Sequence, residues 1–501
     1  MASCDYDHQH TRDDSGTSDS TPSLFNLLGN TLVLRQTIPY LPVLDALNLA
    51  ATSRSFRDLL RNTPGTFKHL DLSRVKGAQF DIAGVDHGGE IWRNVQLDEN
   101  LTEDEFYSGP LRGIFSSLRR QNILQDVNTL VLDGLSVTTE FCNEILVDPS
   151  SRIRILSIRD VTNLNERKLM QALRYACRPT RADNMPRLKA LYFFGKREVE
   201  LLLPAPETPA PTFPPRNSRG ANISTGWNQK SQQTLKESIK SEGDDWYQRR
   251  GKMVTKQITD GWAQTLWDCR ETIRFDTVLC TGPRHQNSLA YGKAVITPPS
   301  KSCGSSLGVA TFALGGCASC GSAPEGFARY GESKPEALPL LSPIPLHSSN
   351  VKTATRPTPI GESTNTTDGQ EVKFEFIPRC LDCIRERYCF SCHQWWCEAC
   401  YQVPSRGEQL GAAQQVHIVD EANGLVDHEL VAYEPPKIKT PKITKSCWDC
   451  EHNCHDCIAE TQKRCQGCGG GYCILHAEGS TLTWCDWCTP RRGRRYRGEL
   501  Y

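Results

Sequence analysis

The stretch RCQGCGGGYCILH, from Arg464 to His476, places three cysteines and one histidine within thirteen residues. Cysteine and histidine at this density are typical of metal ligands. In CQGCG, the glycine after the second cysteine permits the left-handed turn that aims backbone amides at a thiolate. In YCILHA, the cysteine and the histidine are expected to open a helix. The stretch therefore predicts a metal-binding turn followed by a helix.

The same spacing recurs through the C-terminal part of the chain. Of the 23 cysteines, 15 lie between Cys380 and Cys488, and nearly all of them form pairs with two residues between the members. Such a pair can direct both side chains at one ion, and Zn²⁺ takes four ligands in a tetrahedron. We expect about four structural zinc ions. The eight candidate pairs are Cys380 and Cys383, Cys389 and Cys392, Cys397 and Cys400, Cys447 and Cys450, Cys454 and Cys457, Cys465 and Cys468, Cys473 and His476, and Cys485 and Cys488.

The short connections between neighbouring pairs predict that alternate pairs share an ion. The predicted sets are Cys380, Cys383, Cys397 and Cys400; Cys389, Cys392, Cys447 and Cys450; Cys454, Cys457, Cys473 and His476; and Cys465, Cys468, Cys485 and Cys488. A further pair, Cys317 and Cys320, has Cys303 and Cys280 upstream and could hold a fifth ion, but it is interpreted as holding none. Sites closed by thiolates leave no position for a reacting water, so they are predicted to be structural. The alternative is a set of reduced, unligated core cysteines.

A metal-binding turn followed by a helix resembles the treble-clef arrangement of FYVE and RING fingers. A RING-like domain would recruit a ubiquitin-conjugating enzyme directly, and that function is kept as an alternative. In the second module the histidine, His476, is the sixth ligand rather than one in the middle of the series as in a RING. This order favours a structural module over a RING.

Charge and hydropathy exclude several classes of partner. Lys and Arg number 58, as do Asp and Glu, so no overall field attracts the chain to a polyanion or a membrane surface. No run of about 18 apolar residues and no secretory signal is present. We therefore expect a soluble protein of the nucleus and/or cytoplasm, without a membrane partner. A dense basic run at Arg491, Arg492, Arg494, Arg495 and Arg497 predicts at most weak, salt-sensitive contact with nucleic acid.

Composition also divides the chain into folded regions and linkers. The predicted fold class is α+β multidomain, with an N-terminal three-helix unit, an irregular leucine-rich-repeat α/β solenoid, C-terminal treble-clef or RING-like zinc modules and disordered linkers. The predicted boundaries are 1–23 disordered, 24–66 helical unit, 67–330 repeats with a disordered insert at about 204–245, 332–370 disordered linker, 375–490 zinc-binding region in two modules, and 491–501 basic tail.

The helical unit is predicted from the period of its apolar residues. Leu34, Ile38 and Leu41 are spaced to share one helical face, and Pro42 ends that helix. Asp45 is a candidate cap for a second helix, and a third short helix follows. A unit of about 40 residues is marginal alone and is expected to gain stability from a partner. An ordinary helical hairpin is the alternative.

Alternating apolar residues predict a series of short strands in FKHLDLSRV (67–75), VNTLVLDGL (127–135), IRILSIRDV (153–161), LKALYFFG (188–195) and IRFDTVLCTGPRH (273–285). Leu130 and Leu156 are 26 residues apart, within the leucine-rich-repeat period, whereas Leu156 and Leu191 are 35 apart. The repeats are therefore irregular. Stacked strands of this kind leave one face of the sheet suited to a protein ligand. A generic α/β domain is the alternative.

The order YLPVLDALNLAATSRSFRDLL, from Tyr40 to Leu60, resembles an F-box. Together with the repeats and the cysteine-rich region, it resembles a group of fungal F-box proteins. The resemblance implies docking on a Skp-type adaptor in an SCF-type cullin-RING ubiquitin ligase, with the rest of the chain holding an unknown protein substrate. The expected adaptor contacts are Leu34, Ile38, Leu41, Pro42, Leu44 and Leu47.

The sequence carries no phosphate-binding glycine loop and no nucleophile elbow. A non-catalytic receptor subunit is therefore expected rather than an enzyme. The rival from another class is a zinc-finger protein that binds nucleic acid or chromatin, in which the helical start is only an interaction module.

Overall fold

The computed structural model describes residues 23–79, 103–197, 251–254, 256–291, 307–330, 332–342, 344–346, 350–355, 375–400 and 442–489. Within these ranges the chain is a mixed α/β protein with several sheets and helices. The predicted insert at 204–245, the basic tail and nearly all of the predicted disordered start lie outside the described residues. No helix in the described ranges has the length and apolar character needed to cross a membrane.

The helices are α1 (Leu24–Gly29), α2 (Thr31–Thr37), α3 (Val43–Thr52), α4 (Arg54–Asn62), α5 (Glu103–Arg120), α6 (Thr139–Val147), α7 (Glu166–Ala176), α8 (Trp262–Cys269), α9 (Val351–Ala354), α10 (Leu381–Ile384) and α11 (His455–Thr461). Turns of 3-10 helix cover Ile38–Tyr40, Lys76–Ala78, Ile123–Gln125 and Pro335–Ala337.

The strands are β1 (His69–Asp71), β2 (Thr129–Val131), β3 (Ile155–Ser157), β4 (Ala190–Tyr192), β5 (Gly251–Lys252), β6 (Arg274–Phe275), β7 (Phe312–Leu314), β8 (Ala328–Arg329), β9 (Glu375–Arg379), β10 (Ile443–Thr444), β11 (Asn453–Cys454), β12 (Gln462–Arg464) and β13 (Gly471–Cys473).

Helices α1 to α4 pack around a small core of their own, formed by Leu28, Leu34, Ile38 and Leu60. Side-chain oxygens of Ser23, Asn30 and Ser53 accept backbone N–H groups at the starts of α1, α2 and α4. The predicted cap at Asp45 is wrong, because Pro42 is the residue that precedes α3 and Asp45 lies in the first turn. The Asp45 carboxylate nevertheless stabilises the helix, because it lies near the positive end of the helix dipole.

The predicted strands form one parallel sheet in the order β1-β2-β3-β4-β6. Leu130 pairs with Leu156, which pairs with Leu191, so the periodic leucines lie in register across the sheet. These leucines pack in the same core as α6, α7 and α8. The neighbouring positions, which include Val131, Ile155 and Ala190, belong to a separate core on the opposite face.

That opposite face is covered by Leu340, Ile344, Val351 and Ala354, which lie in the segment predicted to be a disordered linker. Leu340 and Ile344 are buried against the sheet, and the hydroxyl of Tyr192 donates to the carbonyl of Leu341 at 2.9 Å. In the stretch LPLLSPI, apolar residues alternate with prolines. Burial of these apolar side chains offsets the conformational entropy that is lost when the segment is ordered. The part of this sheet face that lies under Leu340, Ile344 and Ala354 is therefore not the open ligand surface expected from the sequence.

A second sheet has the order β5-β7-β9-β8, with antiparallel neighbours. It joins segments from both sides of the predicted linker, because β7 lies before it in the chain and β9 lies after it. Strand β9 ends at Arg379, directly before Cys380, and β7 ends three residues before Cys317. This sheet therefore places cysteines that are far apart in the sequence close together in space.

Candidate functional site

The described residues contain five groups of four cysteine or histidine side chains whose ligand atoms all lie within 4.8 Å of one another. We number them in the chain order of their first residue. Site I is Cys280, His285, Cys380 and Cys383; site II is Cys317, Cys320, Cys397 and Cys400; site III is Cys389, Cys392, Cys454 and Cys457; site IV is Cys447, Cys450, Cys473 and His476; and site V is Cys465, Cys468, Cys485 and Cys488.

The spacing between sulfur atoms matches a tetrahedral metal site. The Sγ atoms of Cys280 and Cys383 are 3.8 Å apart, and those of Cys392 and Cys454 are 3.7 Å apart. A tetrahedron with metal–sulfur bonds of about 2.3 Å has edges of about 3.8 Å. A disulfide would bring the sulfurs to about 2.05 Å, and these cysteines are free thiols. Each group can therefore hold one metal ion.

The groups share a hydrogen-bond pattern that favours thiolates. In four of the five described sites, the Sγ of one cysteine accepts the backbone N–H of the first cysteine in the partner pair. The donor and acceptor residues are Cys380 and Cys280, Cys397 and Cys317, Cys454 and Cys389, and Cys485 and Cys465, at 3.2 to 3.3 Å. In site V the N–H of Cys485, together with other backbone donors, lowers the pKa of Cys465 to about 6. Metal binding needs this deprotonated form.

Local backbone structure positions the ligands. Gly469 has φ 73°, the left-handed turn predicted after the second cysteine of CQGCG. Cys380 and Cys454 directly precede α10 and α11, so each lies at the junction between a strand and a helix. The predicted helix after Cys473 is wrong, since residues 474–476 form a turn that follows β13.

All sixteen predicted ligands belong to these groups, but only the set of site V was predicted with the right partners. Cys380 and Cys383 share site I with Cys280 and His285, and Cys397 and Cys400 share site II with Cys317 and Cys320. Cys389 and Cys392 share site III with Cys454 and Cys457. The pair at Cys447 is joined by Cys473 and His476 instead of by Cys389 and Cys392. Cys317 and Cys320, which were interpreted as holding no ion, lie in site II with Cys397 and Cys400, so this group is able to hold one.

Site I includes two residues outside the predicted ligand set: Cys280, considered only as a partner of Cys317 and Cys320, and His285. The Nε2 atom of His285 lies 3.2 Å from the Sγ of Cys380 and 3.5 Å from that of Cys383. His285 and Cys280 are separated by four residues, so they do not show the two-residue spacing of the other pairs. The available signal was the CASC motif at Cys317, which implies further ligands before the linker.

A buried ionic cluster joins sites I and II. Glu325 accepts from both terminal nitrogens of Arg387, at 2.7 and 3.1 Å, and also from the backbone N–H of Glu398. Arg387 donates to the carbonyl of Cys383 in site I and to that of Trp396, next to Cys397 of site II. Burial raises the pKa of Glu398. One carboxylate thus ties together the backbones of two metal-binding turns.

The predicted adaptor residues fall into two classes. Leu34 and Ile38 are buried in the core of the helical unit, so they are not available to a partner. Leu41 and Leu47 are partly buried, whereas Pro42 and Leu44 are exposed. Other exposed apolar residues of the unit were not predicted. They are Leu24, Phe25, Leu27, Leu32 and Tyr40.

Comparisons of the chain with protein-family models, with curated proteins and with solved structures found no match. The functional argument therefore rests on the geometry of the metal groups and on the surface of the helical unit.

Proposed function

We propose that the chain is the non-catalytic substrate-recognition subunit of an SCF-type cullin-RING ubiquitin ligase, and that α1 to α4 dock on a Skp-type adaptor. The observation that carries this proposal is the exposed apolar surface of a unit that also keeps a core of its own. Leu32 is 71% exposed, Tyr40 65% and Leu44 47%. Several exposed apolar side chains on one small unit are typical of a protein-binding surface.

In this proposal zinc fills the five described sites as a structural ion. Four cysteine or histidine ligands close each site, which suits zinc and leaves no coordination position for a substrate. The ions would fix the turns that connect the two halves of the chain. The role of the metal is thus to hold a receptor in shape.

The adaptor proposal predicts that Leu32→Ala combined with Leu44→Ala weakens adaptor binding. Both side chains are exposed in the free chain, so their removal should spare the fold and cost interface contacts. If they lie at the centre of the interface, each substitution costs about 2 kcal/mol. The measurement is co-purification with the adaptor and cullin, followed by titration calorimetry.

The matched control for that experiment is Leu289→Ala, because Leu289 is 95% exposed and lies outside the helical unit. It should bind the adaptor as the wild type does. Equal binding by the double variant and the wild type, or no binding by the wild type, would contradict the proposal.

A RING-like ligase is the second candidate, and the way in which the ligand pairs share sites IV and V favours it, whereas the place of His476 in the series does not. The first and third pairs of this module share site IV, while the second and fourth share site V. Such cross-bracing resembles a RING finger. The test is ubiquitin chain formation by the purified chain with conjugating enzymes but without cullin. Chains formed under these conditions would support this candidate over an adaptor-dependent receptor.

A further inference from the structure

A small cavity lies where the helical unit meets the edge of the parallel sheet. Arg35 of α2, Lys68 and His69 line it together with Leu346, which follows the segment that covers the sheet face. Its volume is about 220 Å³. Pockets for drug-sized ligands usually have about 300–1,000 Å³, so this cavity suits a small ion or a single chemical group. We call it the junction cavity.

The charges that line the junction cavity have one sign. Arg35 and Lys68 are cationic, and none of the lining residues is Asp or Glu. Neither of these two side chains forms an ion pair or a hydrogen bond within the part of the chain that the structure describes. Asp71, the acidic residue closest to Lys68 in the sequence, does not line the cavity, and its carboxylate accepts from the N–H and the hydroxyl of Ser73 at 2.9 and 2.6 Å. The cavity therefore favours an anion.

Two further lining residues carry polar groups without a partner. The Nδ1 atom of His69 is buried and has no hydrogen-bond partner among the described residues, and the backbone N–H of Gly65 donates to none of them. Burial lowers the pKa of His69, against the opposing effect of Asp71, so the ring is neutral near pH 7 and carries one proton. An unpartnered buried nitrogen costs free energy that a ligand can recover.

The kinds of side chain that line the cavity indicate the class of anion. A guanidinium binds two oxygens of a phosphate at once, and a lysine ammonium adds a point charge. Arg35 comes from α2, whereas Lys68 and His69 come from the start of β1. Donors that converge from separate elements suit an oxyanion, because its several oxygens can accept from all of them.

We propose that the junction cavity binds the phosphate group of a small ligand, either inorganic phosphate or a phosphomonoester. The bound phosphate links Arg35 of the helical unit to Lys68 and His69, so it fixes the helical unit on the edge of the sheet. This inference does not depend on the adaptor proposal, since Leu32 and Leu44 do not line the cavity.

The test titrates the zinc-loaded full chain with inorganic phosphate and with glycerol 1-phosphate by isothermal titration calorimetry. Ionic strength is kept constant, and sodium acetate is the control anion. At least one of the two phosphate compounds should bind, with one ion per chain, and the comparison identifies the source of the phosphate group. Acetate should bind at least tenfold more weakly.

Arg35→Gln combined with Lys68→Gln should weaken phosphate binding by roughly tenfold or more, because it removes two charge-assisted contacts. The matched control is Arg57→Gln combined with Lys76→Gln, which removes the same charge from exposed residues that do not line the cavity. It should bind phosphate as the wild type does. His69→Leu should also weaken binding, whereas His69→Asn, which keeps an N–H donor, should retain part of the affinity.

Hydrogen exchange locates the bound phosphate. The amides of residues 65–69 should gain protection when phosphate is added, whereas those of the metal-binding residues 442–489 should not change. The proposal would be overturned if neither phosphate compound bound, if acetate bound equally well, or if the Arg35 and Lys68 variant bound as the wild type does. Protection gained only at 442–489 would overturn it as well, since phosphate would then be bound at the metal sites.

Discussion

Removal of the metal is expected to unfold the four-stranded sheet β5-β7-β9-β8 together with residues 380–400 and 442–489. The reason is that sites I and II take half of their ligands from before the linker, next to β6 and β7, and half from after β9. Sites of this kind supply about 10 kcal/mol or more of apparent free energy in small domains. The free energy of unfolding of a whole domain is usually about 5–15 kcal/mol, so the metal sites contribute an amount of the same size.

Hydrogen exchange of the chelated full chain measures this directly. Amides of β7 and β9 should lose protection together with those of β12 and β13, and restored zinc should return it. Strands β2 to β4 contain no ligand and serve as the internal control, which should stay protected. Persistent protection of β7 and β9 after complete metal loss would contradict the account.

The second large effect is expected for Glu325→Gln, which removes the buried carboxylate shared by Arg387 and Arg379 and leaves Arg387 with Glu398 alone, at 3.3 Å. Glu325, Arg387 and Glu398 are all buried, and Arg379 lies 3.7 Å from the same carboxylate. Removing one partner of a buried ion pair costs about 3–5 kcal/mol. The variant should therefore show a clearly lower urea midpoint. Trp395 is a suitable probe, because the guanidinium carbons of Arg379 and Arg387 lie 5.6 and 5.7 Å from its ring centre.

Asp382→Asn is the matched control for this experiment. Asp382 forms an ion pair with Arg385 at 2.8 Å, but both side chains are largely exposed. Exposed pairs contribute about 0–1 kcal/mol, so this midpoint should change little. If Glu325→Gln unfolded at the same urea concentration as Asp382→Asn, the buried cluster would not be the connection between sites I and II that its geometry indicates.

Local patterns in the sequence predicted the elements better than their partners. The period of Leu130, Leu156 and Leu191 predicts strands, and the structure pairs them in parallel. The two-residue spacing predicts ligand pairs, and all of them are brought into metal-binding groups. Both signals arise from neighbouring residues, so they can be read without the fold.

The errors concern contacts between distant segments. Cys280 meets Cys380, 100 residues later, because both lie beside the second sheet. Leu34 and Ile38 enter one core, although α2 ends at Thr37 and not at Pro42, and periodicity does not show that α1 and α4 cover this core. Prolines at 339 and 343 indicated a linker, although Leu340 between them is buried on the parallel sheet.

The central claim is that five metal sites hold distant segments of the chain together. Its most direct test is the metal content of the purified full-length protein. Elemental analysis should give five zinc ions per chain. Replacing Cys317 and Cys320 with serine should remove one ion, while Cys142→Ala, a buried cysteine outside the groups, should remove none. A content of four ions that the Cys317 and Cys320 variant leaves unchanged would contradict site II and with it the connection between the two halves of the chain.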